Sequence, residues 1–120
     1  MPSWRRWRGQ QGEQMATEFL QRQGYRIQQQ NYRCRDGEID IIAWDREVLV
    51  FIEVKTRTSG EWGAPERGID ADKIKALRRT ARDYVRRAGA DPDRVRFDAI
   101  SITGGELQHL KDAFPPTPSL

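Results

Sequence analysis

Two apolar stretches of period two, separated by a polar pair, constrain this chain more than any other feature: residues 37–57 read GEIDIIAWDREVLVFIEVKTR. Successive side chains of a strand point to opposite faces, so Glu38, Asp40 and Ile42 are expected on one face of a first strand. On a second strand, Leu49, Phe51, Glu53 and Lys55 share a face, and Val48, Val50, Ile52 and Val54 occupy the other. With Arg46 and Glu47 as a two-residue loop, Asp45 pairs with Val48, and counting back sets Asp40 opposite Glu53. Directly opposed Cβ atoms lie about 4.5–5.5 Å apart, close enough for two carboxylates to hold one cation; without a cation the pairing is unfavourable. A longer loop or a bulge would turn Asp40 to the wrong face.

Glu53 and Lys55 end a run, VLVFIEV, whose two faces both read apolar, as in an interior strand. Charges in such a place are rare unless paired. Two readings stay open: a structural Glu–Lys ion pair beside a solvated Asp40, or a site that uses all three charges. An upstream aspartate at hairpin distance favours the site.

The chain of 120 residues, 37% hydrophobic and 32% charged, suits one domain with a single core. Its one cysteine, Cys34, excludes an internal disulfide framework and a zinc site built on several thiolates. No apolar run approaches the roughly 18 residues of a membrane span, and the N-terminus lacks a signal-peptide core, so a cytoplasmic protein is expected.

Residues 1–8 interleave Trp4 and Trp7 with Arg5, Arg6 and Arg8, either as a frayed terminus or as a segment that stacks on bases and neutralises phosphates. A helix is expected over about 10–23, where Met15, Ala16, Phe19 and Leu20 form a stripe and Gly24 a C-cap. Glu13 lies at the edge of that stripe, as a first-turn acid favoured by the helix dipole or as a group aimed at the cleft of Asp40. Residues 25–32 read as a polar edge strand with Tyr25 and Ile27 inward, and 33–36 as a turn.

The Gly-rich stretch 58–68, carrying Trp62, reads as a surface flap. Asp70 is a good N-cap for a helix to about Ala88, with Ile74, Leu77, Ala81, Tyr84, Val85 and Ala88 as its apolar stripe. Its other face sets Lys73, Lys75, Arg78, Arg79, Arg82, Arg86 and Arg87 against Asp72 and Asp83, which points to a polyanion partner. Residues 95–102 read as a strand parallel to 48–55, and 107–110 as a short returning strand. A disordered Pro-rich tail is expected over 113–120, and His109, near it, is given no catalytic role. The order is αβββαβ, an α/β sandwich with a mixed central sheet.

The combination of GEIDIIA, FIEVKTR, a Gly-Pro loop, a helix opening IDADK and the Gly12-Glu13 helix resembles the YraN family of predicted bacterial endonucleases. That family looks like a branch of the PD-(D/E)xK, or restriction-endonuclease-like, superfamily and is similar in layout to archaeal Holliday junction resolvases. The resemblance covers roughly residues 9–102 and implies a nuclease-like domain over about 9–112. By position the superfamily's aspartate falls on Asp40, its Glu-x-Lys on Glu53 and Lys55, and its first-helix glutamate on Glu13. Ile39 stands where the superfamily name expects Pro, which resolvase-like members also lack.

The resemblance implies hydrolysis of phosphodiester bonds with Mg²⁺ or Mn²⁺. Asp40, Glu53 and the Val54 backbone carbonyl are the expected metal ligands, with Glu13 a further candidate. Lys55 is expected to orient the attacking water or stabilise the transition state. Arg57 and Lys73 match family motif positions and join Lys75, Arg78, Arg79, Arg82 and Arg86 as expected nucleic-acid contacts, with Arg5, Arg6 and Trp62 as further candidates. DNA is favoured over RNA as the partner, a branched substrate and a homodimer are options, and no membrane is expected. The alternative is a nucleic-acid-binding module with a vestigial site.

Overall fold

The elements run α1 (Ser3–Arg22), β1 (Arg26–Cys34), β2 (Gly37–Asp45), β3 (Val48–Arg57), α2 (Ala71–Ala88), β4 (Val95–Thr103) and β5 (Glu106–Phe114). The structure is a computed structural model that describes residues 3–57 and 70–116, with side chains from residue 11 onward. The strands form one sheet in the order β1-β2-β3-β4-β5. Every neighbouring pair is antiparallel except β3 and β4, which are parallel, with α2 as the crossover between them. A mixed α/β sandwich is therefore what the chain forms, with one strand more than a six-element count allows.

Each helix covers one face. On the α2 side Ile42, Leu49, Phe51, Leu77, Ala81, Tyr84, Val85 and Phe97 make one core. On the α1 side Ala16, Leu20, Tyr25, Ile41, Ala43, Val50, Ile52 and Ile100 make the other. Leu49/Phe51 and Val50/Ile52 thus divide as strand alternation requires. Met15, expected inward, is exposed, because α1 lies with Gly12, Ala16 and Leu20 against the sheet. A Cβ on Gly12 would run into the Thr56 hydroxyl, so the missing side chain lets α1 approach β3 closely. On α2, Thr80 is buried and returns its hydroxyl to the Ala76 carbonyl at 2.8 Å, whereas Ala88 is exposed. Asp70 caps α2 by accepting the Lys73 N–H at 2.8 Å, and Gly89 closes it with φ 67°.

The central hairpin has the expected register, Asp45 opposite Val48 and Ile41 opposite Ile52, with Arg46 in the left-handed conformation at φ 58°. Past Ile41 and Ile52 the two strands part: β2 stays paired to β1 and β3 to β4, and Asp40 and Glu53 lie beyond the end of their mutual ladder. Their expectation as a paired rung is corrected accordingly.

The face of β2 is corrected too. Ile39 and Ile41, two residues apart, pack in opposite cores, so alternation breaks at Asp40. On β1, Asn31 lies between Gln30 and Tyr32, the partners of Ile41 and Ile39, and has φ 53°. An asparagine tolerates this left-handed conformation, and it turns both strands over at one level.

The start of the expected C-terminal tail is corrected. β5 extends to Phe114, which is buried and stacks on Phe97 with ring centroids 4.7 Å apart. Prolines follow the strand without preventing it, since β5 is an edge and only its inner side needs donors. Residues 117–120 lie outside the described residues.

Candidate active site

The parting of β2 and β3 leaves backbone groups that a ladder would have used. Asp40 takes one: its Oδ2 accepts the Val54 N–H at 2.8 Å. Leu49 sends its N–H to Arg94 on the β4 side, and Ile52 pairs toward β2, so even-numbered residues of β3 direct their polar groups at the β2 edge. The N–H and C=O of one residue share an edge, so the Val54 carbonyl points into the same gap.

Asp40 is 8% exposed. Burial and then the negative charge of Glu53 push its pKa up to about 7, against the pull of the Val54 N–H; Glu13 and Glu38 add to the rise. Glu53 is also raised, by burial first, with Lys73 and Lys55 drawing it back and Glu38 repelling it. Glu13 is raised by burial, opposed by a hydrogen bond with Asn31, and again feels Glu38. Carboxylates from α1, β2 and β3 therefore share one field, and Glu13, Asp40 and Glu53 each hold the proton more tightly than a free carboxyl does.

Among the described residues no three His, Cys, Asp or Glu side chains are arranged to hold a metal ion. The donor set is two carboxylates and a carbonyl. That does not suit a closed cage, but it fits Mg²⁺ or Mn²⁺, hard ions that keep several waters and take one or two carboxylates plus substrate phosphate. The mutual repulsion of Asp40 and Glu53 is what a bound cation would relieve.

The structure brings together Glu13, Asp40, Glu53 and Lys55, the last exposed on β3 and acting on Glu53 from the solvent side. Glu38 belongs with them and was not singled out; its signal was its place two residues before Asp40. It pairs with Arg33 at 2.7 Å. Lys73, expected on a phosphate, instead meets Glu53 with Nζ 3.5 Å from the carboxylate, because the first turn of α2 returns over the end of β3. Arg57 is buried beside Thr103 of β4 rather than presented outward, since β3 is an interior strand.

The basic row on α2 divides. Arg78 donates to the Pro115 carbonyl at 2.6 and 3.0 Å and lies over the Phe114 ring, so it fastens the C-terminal segment and is withdrawn from the expected phosphate contacts. Arg79, Arg82 and Arg86 line a concavity of about 260 Å³ with Asp36 and Asp83, and Lys75 is exposed. Asp83 is held below the usual carboxylate range by the Tyr32 hydroxyl, and Arg87 pairs with it at 3.1 Å. The arginines thus keep a net positive charge. The side chains of Arg5 and Arg6, and Trp62 with its loop, lie outside the described residues.

A second polar cluster went unread. Asp98, its side chain fully buried in β4, accepts from His109 at 2.8 Å, Arg96 at 2.8 and 3.1 Å, Tyr25 at 3.1 Å and the Asp112 N–H at 3.0 Å. Burial alone would raise its pKa; the His109, Arg96 and Asp112 hydrogen bonds outweigh burial and hold it at about 2. Asp112, at φ 55°, folds extra residues of β5 inward so that its N–H can reach. His109 is therefore a buried partner joining β5 to β4. The signal was a charge in mid-strand, VRFDAISI, the same kind that marked Glu53.

A family model described as "Uncharacterised protein family UPF0102" matches residues 12–102. A UPF0102 protein of Symbiobacterium thermophilum is 47% identical over 103 residues, covering 86% of this chain and 87% of its own length. One from Persephonella marina is 42% identical over 107 residues, covering 89% and 92%. The matched span contains Glu13, Glu38, Asp40, Glu53 and Lys73. Among the described residues no helix is long and apolar enough to cross a membrane.

Proposed function

The chain belongs to the uncharacterised protein family UPF0102, and on that premise we propose that it is a divalent-metal-dependent nuclease of the restriction-endonuclease-like type. One observation carries the reading: buried Asp40 and largely shielded Glu53 lie where two strands part, and the charge of Glu53 adds to burial in raising the Asp40 pKa. A scaffold gains nothing from such a pair unless a cation sits between them.

Asp40, Glu53 and the Val54 carbonyl would hold Mg²⁺ or Mn²⁺. Such an ion, when bound, acidifies water and offsets charge developing on phosphate. Glu13 and Glu38 accept hydrogen bonds from water at the rim and keep it oriented. Lys55 supplies a fixed positive charge beside the phosphate undergoing attack. Lys75, Arg79, Arg82 and Arg86 hold the phosphate backbone without reading bases. DNA is the favoured substrate, on the motif resemblance to junction-cutting enzymes.

The test is a panel of junction, flap, duplex and single-stranded DNA with matching RNA, incubated with wild type and Glu53→Ala in Mg²⁺, Mn²⁺ or EDTA. Wild type is expected to cut at least one substrate, and both EDTA and the substitution to abolish cutting. A second reading, a binding module that does not cut, is favoured by the Lys73–Glu53 ion pair, which answers one carboxylate without a metal. Salt-dependent binding with no cleavage anywhere in the panel would establish it.

A further inference from the structure

Of the carboxylates of Asp40 and Glu53, that of Glu53 already has a cation. Lys73 Nζ lies 3.5 Å from Oε1; the Glu53 side chain is 12% exposed and that of Lys73 45%. The two belong to different elements. Glu53 is on β3, and Lys73 is in the first turn of α2, where its own backbone N–H is fixed by Asp70.

The asymmetry in exposure matters. Glu53 is held in place by the strand and largely shielded from water, so it needs a counter-charge wherever it is ionised. Lys73 has no such need. Its ammonium is a compact charge on a flexible stem, and nearly half of the side chain is already in solvent, so it can leave at little cost. A divalent ion shared by Asp40 and Glu53 would compete for the same carboxylate and repel the ammonium.

We propose that Lys73 is the exchangeable counter-cation of the site, occupying Glu53 when no metal is bound and yielding that carboxylate to the divalent ion. The proposal rests on the reading of Asp40 and Glu53 as metal ligands. It makes the ion pair a brake on metal uptake: the ion must displace an ammonium as well as gain two carboxylates. It also turns Lys73 out toward solvent once the metal is in place, beside the phosphate that the metal would attract.

The experiment is a calorimetric titration of Mn²⁺ into the full-length wild type, Lys73→Gln and Lys73→Arg proteins, paired with melting curves in EDTA and in saturating Mn²⁺. Removing a half-exposed competing charge is expected to tighten Mn²⁺ binding roughly five- to tenfold in Lys73→Gln. Lys73→Arg, which keeps the charge, stays within about twofold of wild type. Lys73→Gln melts below wild type in EDTA, and the gap closes in Mn²⁺, where neither protein uses the ion pair. Equal or weaker Mn²⁺ affinity in Lys73→Gln overturns the exchange and leaves the metal site standing. No Mn²⁺ uptake by any of the three proteins overturns the metal site itself, and the exchange with it.

Discussion

The backbone N–H of Val54 ends on the carboxylate of Asp40, 2.8 Å away, where a continued hairpin would have sent it to the carbonyl of Ile39. Hydrogen-bonded rungs recur every second residue, as at Asp45/Val48, Ala43/Val50 and Ile41/Ile52, so Ile39/Val54 is the rung that the side chain replaces. Asp40→Asn keeps an acceptor for that donor; Asp40→Ala does not. Urea unfolding at about pH 8 in EDTA is expected to find the alanine variant less stable than the asparagine variant by about 1–3 kcal/mol, the cost of an orphaned buried donor. Equal stabilities would mean that water or main chain serves Val54 instead.

Stability without metal should fall as pH rises from about 4 to about 7. Asp40 moves from its ordinary 3.8 to about 7 in the folded protein. A raised carboxyl pKa means that the folded state binds the proton more tightly, so its contribution is present below about pH 4 and lost as pH climbs through 7. The size is on the order of 4 kcal/mol. Asp98 works the other way: held at about 2, it contributes above its ordinary 3.8 and is lost as pH falls toward 2. Melting temperatures in EDTA should therefore peak at mildly acid pH. Mg²⁺ should lift the alkaline limb, and Asp40→Asn should flatten it. An alkaline limb that survives in Asp40→Asn assigns the effect to another group.

Phosphate contact is expected from Arg79, Arg82 and Arg86 but not from Arg78. If each of the three meets a phosphate, their joint replacement by alanine lowers the log–log salt slope of DNA binding by roughly 2.7, at about 0.9 per contact. Arg78→Ala leaves the slope alone and instead exposes the segment after Phe114 to proteolysis, because it releases the Pro115 carbonyl. A slope that falls equally for both variants would return Arg78 to the binding face.

Gly12→Ala should cost about 1–3 kcal/mol, since its methyl group would enter space held by the Thr56 hydroxyl. Thr56→Ala in that background should recover much of the loss, which a double-mutant cycle reads as coupling. Additive losses would show that α1 can shift, and that Glu13 shifts with it.

Much of this fold was legible because local chemistry set it. The hairpin register followed from a two-residue loop, and the bounds of α2 from Asp70 and Gly89. What escaped was non-local. Nothing near Lys73 in sequence says that it meets Glu53, and nothing near His109 says that Asp98 awaits it. β5 reads as polar because it is an edge strand with one inner side, so its buried Phe114 falls within the expected tail. The facing of Asp40 was misread because alternation was carried through a level where Asn31 breaks it. An asparagine in the middle of a strand was the available hint.

The change of sides between Ile39 and Ile41 has a last consequence. A uniformly amphipathic strand displaced by two residues recovers its inward-facing pattern and can settle in a wrong alignment. β2 has no such second solution, because any displacement empties one of the two cores at the level of Asn31. The reversal thus works as an index mark that admits a single alignment of the first hairpin. A substitution that returned residue 31 to extended backbone would erase the mark, and the acid at position 40 could leave its gap with its own identity untouched.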